Sequence, residues 1–564
     1  FVVFRLVDLH SDTNNNEHHT SEISVTELIV RRGQAFKLTL KLSQPFNLGF
    51  DQLIMTVVTG WYPSEDLGTK SRFGVPGRSL HSASAKAVWK AELQRGSSPE
   101  TGVLVLIVSP PADAPIGEYT LSASFKDKEK VLANFSVLFN PWSSDDWVFL
   151  PKEEERREYV LNEQGIIYRG GGDYISPMFW DFGQFEQGMV KICLKMLDLN
   201  VKYWLNPADD VSARCSPIYV SRVVSAMINS SDEGGVVMGN WGNDYSGGFP
   251  PTYWSGSYAI LKQWYNSYYR SVRYGQCWVF AGVMCSVMRL LGIPCRVVSN
   301  FQSAHDTNKN LTIDNYFDNN GAMERESKDS IWNFHVWVEG WMRRPDLAKD
   351  GKYDGWQVVD PTPQERSEGL FCCGPASVTA IRNGEVDLKY DVPFVFAEVN
   401  ADSVYWLVSI ESDGSRTKIF SDTETVGQNI STKAVGSYKR VDLTNTYKHR
   451  EGGLTCMDSR GRSVYFFSGL RLFVMQVSGG SKVNQELTAE VVFTNPIDET
   501  LSDCSMSLSG SGLMIGLPNL RPNCRFRVAV VLVPYKTGER SLLVNFSCSS
   551  FKDIKSSCIV NIKP

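Results

Sequence analysis

At 564 residues the chain is too long for one hydrophobic core, and roughly three or four domains are expected. A formal net charge of −5 and a pI near 5.9 exclude a protein drawn to nucleic acid or anionic membrane by positive charge. No apolar run approaches the ~20 residues of a transmembrane helix, and the twelve cysteines lack the spacing of a secreted disulfide framework.

Residues 1–140 read as an N-terminal β-sandwich. Alternating runs (ISVTELIV, AFKLTLKL, LIMTVV, VLVLIVS, YTLSASF) are separated by Gly, Pro and Asp turns. The opening FVVFRLVDLH reads as a strand, not a signal peptide, and with the scattered cysteines this places the protein in the cytoplasm. NPWSSDDWVFLP ends the β pattern as a hinge. Residues 141–455 mix helical periodicity (FEQGMVKICLKMLDLN, RVVSAMINS) with strands (WNFHVWVEGW, GWQVVD), an α+β domain that holds nearly all the tryptophans. A polar link at 456–465 follows. Residues 466–564 return to β in LRLFVMQV, LTAEVVFTNP, RVAVVLVPY, LLVNFSC and SCIVNI.

Within YGQCWVFAGVMCSVMRLLGIPCRVV, a helix begins at Cys277 and stops at Gly292 and Pro294. It is apolar on nearly every face, so it belongs in a core. Cys285, mid-helix, and Cys295, in the strand after it, read as packing thiols. Cys277 differs by position: it follows the flexible Gly275 and opens the helix, where unpaired N–H groups favour an anion. Thiols in such places, especially beside a histidine, ionise at ~3.5–7.5 instead of ~8.5. Five histidines (His10, His18, His19, His81, His449) fall in peripheral segments, whereas His335 lies between Trp332 and Trp337 in a strand. Asp360 ends a later strand before Pro361. Cys, His and Asp in this order are the parts of a papain-type acyl-transfer site. The loop HDTNKNLT sets oxygens at alternate positions, Asp306, Asn308, Asn310 and Thr312. Read alone it is either a polar turn or a calcium loop. An EF-hand is excluded, because Leu311 and Phe317 stand where Gly and Glu are needed.

The words YGQCWVFAG, WNFHVWVEGW and GWQVVDPTPQERSEG resemble the three active-site motifs of the transglutaminases, along essentially the whole chain. HHTSEISVTELIVRRGQ, AMINSSDEGGVVMGNW, DVPFVFAEVNAD and STKAVGS resemble its epidermal type (E) most. The resemblance implies a β-sandwich, a papain-like α+β catalytic core and immunoglobulin-like C-terminal β-barrels or sandwiches. Cys277 would be the nucleophile, His335 the base and acid, and Asp360 the orienting carboxylate. Trp241 in GNWG would hold the oxyanion, and Trp332 would form the other wall of a substrate tunnel. The implied cofactor is Ca2+. Its loop would be Asp306, Asn308, Asn310 and Thr312, closed by Asp329. A second site would use the Ala226 carbonyl, Asn229, Ser231 and Glu233. A third would use Asn400, Thr423 and Glu451, its fourth position falling near Cys456, which is no oxygen donor.

The implied reaction is acyl transfer from a protein glutamine, through a thioester, to a lysine or other primary amine. A deamidase or thiol protease would use the same triad. A non-catalytic scaffold is a third reading, in which Cys277 should have been replaced. After Glu451 the sequence matches only the second of the family's two C-terminal barrels, in LTAEVVFTNPIDETLSDCSMSLSGSGL. The first barrel covers the active site in the family and carries most of a guanine-nucleotide pocket in some members, so no guanine-nucleotide site is expected here.

Overall fold

The β-rich N-terminal region folds as two facing sheets. In this computed structural model the described residues are 3–126, 128–171, 174–232, 234–317, 327–408, 416–449, 456–457, 463–464, 473–479, 482–495, 499–508, 513–522, 524–534, 538–549 and 554–563. One sheet has the order Phe4–Asp8, Phe36–Leu42, Val103–Ser109, Lys90–Leu93. The other has six strands, with Gly117–Phe125 between Lys128–Leu138 and Leu53–Thr59. Burial alternates along the strands as side chains point to opposite faces, so Phe36, Leu38, Leu40, Met55, Val57, Leu104 and Leu106 share one core.

Two features of this region depart from the sequence reading. Residues Ser11–Glu17 form a short helix where only strands were expected. Its sequence, SDTNNNE, has no apolar period; it is held by side-chain amides instead. Buried Asn14 donates to Leu9 O and Lys37 O and accepts from Lys37 N, while Asn15 ties Ser24, Glu27 and Ile29. The segment read as a hinge is a clamp. Asp146 within it accepts from Arg32 Nε at 2.7 Å and Nη2 at 2.8 Å, both side chains fully buried.

The α+β region is organised around helix α1 (Cys277–Leu291), every residue of which is buried. Each large apolar side chain so enclosed contributes about 1.5–3 kcal/mol. The helix ends as the sequence indicates: Gly292 sits at φ 92°, and a Cβ there would also meet Phe139 O at 2.4 Å. Next come β1 (Cys295–His305), β2 (Ser330–Met342), β3 (Gly355–Asp360), β4 (Cys373–Ser377), α2 (Val392–Asn400), β5 (Gln428–Lys433) and β6 (Arg440–Asp442). The strands form one sheet in the order β4-β3-β2-β1-β5-β6, all neighbours antiparallel. Helix α1 packs on β2, and this contact brings the helix N-terminus to the strand that carries His335.

The chain divides into two compact units, residues 1–381 with 388–447, and residues 382–387 with 448–564. In the second unit, Phe473–Gly479, Leu487–Thr494 and Arg525–Leu532 make a three-stranded sheet. Leu513–Gly516, Ser505–Leu508, Gly538–Ser547 and Ile554–Ile562 make a four-stranded one. Phe493 and Phe546 meet in its core. The sheets are open, so the unit is a sandwich and not a closed barrel. Among the described residues no helix is long and apolar enough to cross a membrane.

Candidate active site

Cys277 is placed by the packing of the residues before it. A short strand, Val272–Gly275, lies parallel to Val237–Gly239. A Cβ on Gly275 would stand 2.5 Å from Val237 Cγ1. Close approach, not flexibility, therefore requires this glycine. Gln276 caps the helix without a side-chain bond to it; its amide donates to Asn240 O at 2.9 Å. The first-turn N–H groups and the positive end of the helix are thus left beside the thiol. Cys277 is 4% exposed. Cys285 and Cys295 are fully buried and bonded to each other's surroundings, Cys285 Sγ donating to Cys295 O at 3.7 Å; burial pushes the Cys295 thiol well up.

His335 on β2 is completely enclosed. Its Nε2 bonds Asp360 Oδ2 at 2.6 Å, at the end of β3. The other oxygen, Oδ1, accepts from Thr362 N at 2.8 Å. Nδ1 has no hydrogen-bond partner, and Gln364 Nε2 stands 3.1 Å from Nε2. Burial works against a charged ring. The Asp360 charge and hydrogen bond, the nearby Cys277 thiol and the Glu398 charge outweigh it and hold His335 well above the usual range.

Two side chains that the sequence reading did not single out complete this cluster. Glu398 of α2 is fully buried, with Oε1 3.7 Å from His335 Nε2. Burial pushes its carboxyl up to about 8, with His335 opposing and the Asp360 charge adding. Gln364 donates from Nε2 to Asp360 Oδ2 at 2.9 Å and to Glu398 Oε1 at 3.0 Å. Both residues lay within stretches quoted for their resemblance, but nothing in their spacing from His335 signals contact.

Aromatic rings surround the pair. Trp332 meets the His335 ring edge-on at 5.1 Å, and fully buried Trp337 lies at 5.9 Å. Trp241 stacks parallel to Phe280 of α1 at 6.2 Å and is 48% exposed. The seventh histidine, His305, ends β1 and bonds Glu365 at 3.0 Å, its ring against Trp332 and Phe394. The sequence offered no sign of that pair, whose members lie far apart in the chain.

The 306–314 loop gathers its oxygens. Asp306 accepts from the backbone of Asn308, Lys309 and Leu311; Asp329 accepts from Thr307 N and Oγ1. Asp314, not anticipated, accepts from Asn310 and Thr312 and from the Trp406 indole. Six oxygen-bearing side chains, Asp306, Asn308, Asn310, Thr312, Asp314 and Asp329, are tied here by hydrogen bonds to the loop backbone and to one another. Around the second set, Ala226 lies in a buried helix and Asn229 caps it, accepting from Ser231 N and donating to Phe371 O. The neighbouring Asp232 is bound by Arg366 at 2.8 Å. Glu233 lies outside the described residues. In the third set, Asn400 ends α2 and Thr423 follows the strand Arg416–Asp422, while Glu451 lies outside the described residues.

Comparison with known proteins gives the family. Three family models match: Transglutaminase family at residues 5–126, Transglutaminase-like superfamily at 253–361, and Transglutaminase family, C-terminal ig like domain at 473–564. Protein-glutamine gamma-glutamyltransferase 5 of Homo sapiens is 46% identical over 565 residues, covering 98% of this chain and 74% of that protein. Type E of Bos taurus is 36% identical over 696 residues, covering 99% of each chain. Type 2 of Gallus gallus is 48% identical over 457 residues, which span 80% of this chain and only 64% of that protein. The solved structure of red sea bream transglutaminase matches with a TM-score of 0.70 and 33% identity over 100% of both chains. The chain belongs to the transglutaminase family, the protein-glutamine gamma-glutamyltransferases, whose general chemistry is acyl transfer from protein glutamine. The alignment with type E is longer than this chain, 696 against 564, so that relative carries residues with no counterpart here.

Proposed function

We propose that the chain is a calcium-dependent cross-linking enzyme. It transfers the acyl group of a protein glutamine to a lysine or other primary amine, and it acts in the cytoplasm. The observation that carries this reading is the buried His335–Asp360 pair, bonded at 2.6 Å with Nδ1 left unpaired, on the strand against which the helix opened by Cys277 packs.

Cys277 Sγ, its proton taken by His335, attacks the carboxamide carbon. The charge that develops on the oxygen is met by the Trp241 indole N–H, a contribution of about 2.7–4 kcal/mol for one such donor. The C–N bond breaks as His335 returns the proton to the leaving nitrogen, releasing ammonia and a Cys277 thioester. An amine then attacks the thioester carbon, its proton passes to His335, and the thiol is regenerated as the isopeptide leaves. Asp360 accepts Nε2–H throughout and so keeps the Nδ1 lone pair aimed at the thiol. Trp332, against the ring, limits water at the thioester, which favours transfer over hydrolysis. Calcium would supply positive charge that orders the loop beside β1, held by Asp306, Asn308, Asn310, Thr312 and Asp329. The second and third sets, Ala226, Asn229, Ser231 with Glu233, and Asn400, Thr423 with Glu451, would hold further ions.

The test is incorporation of a fluorescent primary amine into casein, with calcium and with chelator, for the parent and Cys277→Ala. Calcium-dependent labelling that Cys277→Ala abolishes is expected. Ammonia release without labelling would replace this reading by deamidation, and no activity from folded protein by a scaffold.

A further inference from the structure

We infer that Gln364 is a positioning residue: its amide spends one hydrogen on each of two buried carboxylates, and so selects the working tautomer of His335. The inference rests on the acyl-transfer reading for its consequence, but on hydrogen-bond accounting for its substance.

Three polar atoms surround Gln364 Nε2: Asp360 Oδ2 at 2.9 Å, Glu398 Oε1 at 3.0 Å and His335 Nε2 at 3.1 Å. An amide nitrogen has two hydrogens and no available lone pair. Turning the amide over would aim its oxygen at Asp360 Oδ2, an acceptor 2.9 Å away that is already bonded to His335, so the nitrogen faces inward. With both hydrogens given to the carboxylates, Gln364 has none for His335 Nε2. That nitrogen must carry its own hydrogen, which goes to Asp360 at 2.6 Å. The lone pair of the neutral ring is thereby left on Nδ1, which has no hydrogen-bond partner.

The second carboxylate makes this matter. Glu398 is fully buried, and its Oε2 has no hydrogen-bond partner, so Gln364 provides its one side-chain hydrogen bond. Held there, Oε1 stays 3.7 Å from His335 Nε2. Without Gln364, a movement of about 1 Å would bring Glu398 into competition with Asp360 for the single Nε2 hydrogen, within normal hydrogen-bond length. The ring would then be pulled off its line to the thiol, and an error of that size costs on the order of 100-fold in rate.

The experiment compares the parent, Gln364→Leu and the double variant Gln364→Leu/Glu398→Gln in the full chain. Three quantities are read: kcat and KM for amine incorporation, and the rate of Cys277 alkylation by iodoacetamide from pH 6 to 9. Gln364→Leu is expected to lower kcat about 100-fold with KM within about twofold, and to displace the pH profile of alkylation. The double variant is expected to regain at least tenfold over Gln364→Leu at pH 9, where a carboxyl raised to about 8 is ionised and the amide that replaces it is not. A kcat within threefold of the parent with an unmoved alkylation profile overturns the inference. So does a double variant no better than Gln364→Leu, which marks a merely structural loss. Should Gln364→Leu not fold, Gln364→Glu is read by the same criteria. Alkylation needs no acyl transfer: if the parent fails to incorporate amine while its alkylation still depends on Gln364, the functional reading falls and this inference stands.

Discussion

Replacing Asp360 by Asn changes one atom, and the consequence can be worked out from the bonds around it. Oδ1 accepts from Thr362 N at 2.8 Å, while Oδ2 accepts from His335 Nε2 at 2.6 Å and Gln364 Nε2 at 2.9 Å. Asparagine has one oxygen and one NH2. If its oxygen serves Thr362, the NH2 faces two donors, and His335 can adapt only by moving its hydrogen to Nδ1, against the thiol. If its oxygen serves His335, the Thr362 N–H is left facing an NH2 in a fully buried site, at about 1–3 kcal/mol. The first outcome disables the base. In a triad the wrong tautomer costs about 10⁴-fold, or about 5.5 kcal/mol at 1.36 kcal/mol per decade. Glu398 at 3.7 Å offers a substitute acceptor, so a loss of about 10³-fold is expected here. The pH dependence of stability changes as well. His335 is held above its ordinary value, so its contribution is complete below about pH 6.5 and fades as pH rises through the higher folded value. Asp360→Asn should remove much of that slope. The assay is kcat for amine incorporation into casein at saturating amine and calcium, beside thermal unfolding at pH 6 and 9. A loss of less than tenfold in folded protein would refute the tautomer argument.

Three further outcomes follow from particular contacts. Gly275→Ala puts a methyl 2.5 Å from Val237 Cγ1, so the variant should lose about 1–3 kcal/mol of stability and alkylate Cys277 more slowly; Val237→Ala in the same chain should restore both, and no restoration would show that the collision is not the cause. His18 is fully buried, accepts from Arg31 N at Nδ1 and bonds Ala35 O at 3.1 Å through Nε2, so only the neutral ring fits. Burial lowers it to about 4, so the fold loses stability as pH falls from about 6.5 towards that value; NMR of labelled histidine should find a midpoint near there, and one above 6 would contradict the packing. Asp329→Asn removes the charge that receives Thr307 N and Oγ1, and should raise the calcium needed for half-activation at least about tenfold, roughly 1.4 kcal/mol, with the saturated rate retained; an unchanged calcium titration would place the ion elsewhere.

Much of the architecture was legible because its chemistry is local. Alternation in FKLTLKL or VLVLIVS is a strand's own signature, and the apolar run from Cys277 with Gly292 behind it declares a buried helix with both ends. Cys277, His335 and Asp360 stood out because each is chemically unusual where it sits. What stayed hidden is made by the fold alone. Glu398 and Gln364 reach His335 from a separate helix and loop, and His305 meets Glu365 only when β1 lies beside the turn after β3. The helix Ser11–Glu17 was invisible for another reason: buried asparagines hold it, and polar side chains carry no period. Gly275 looked like a flexible point, because a sequence cannot show that Val237 is the neighbour its missing side chain admits.

The central claim is that Cys277 carries the acyl group between glutamine and amine. Intact-mass measurement of the enzyme mixed with a glutamine peptide and calcium, before and after addition of a primary amine, tests it most directly. The account predicts an adduct equal to the peptide less ammonia, mapped to Cys277, which the amine discharges as a cross-linked product. An adduct that survives in Cys277→Ala, or amine incorporation with no adduct at that thiol under rapid quench, would contradict it.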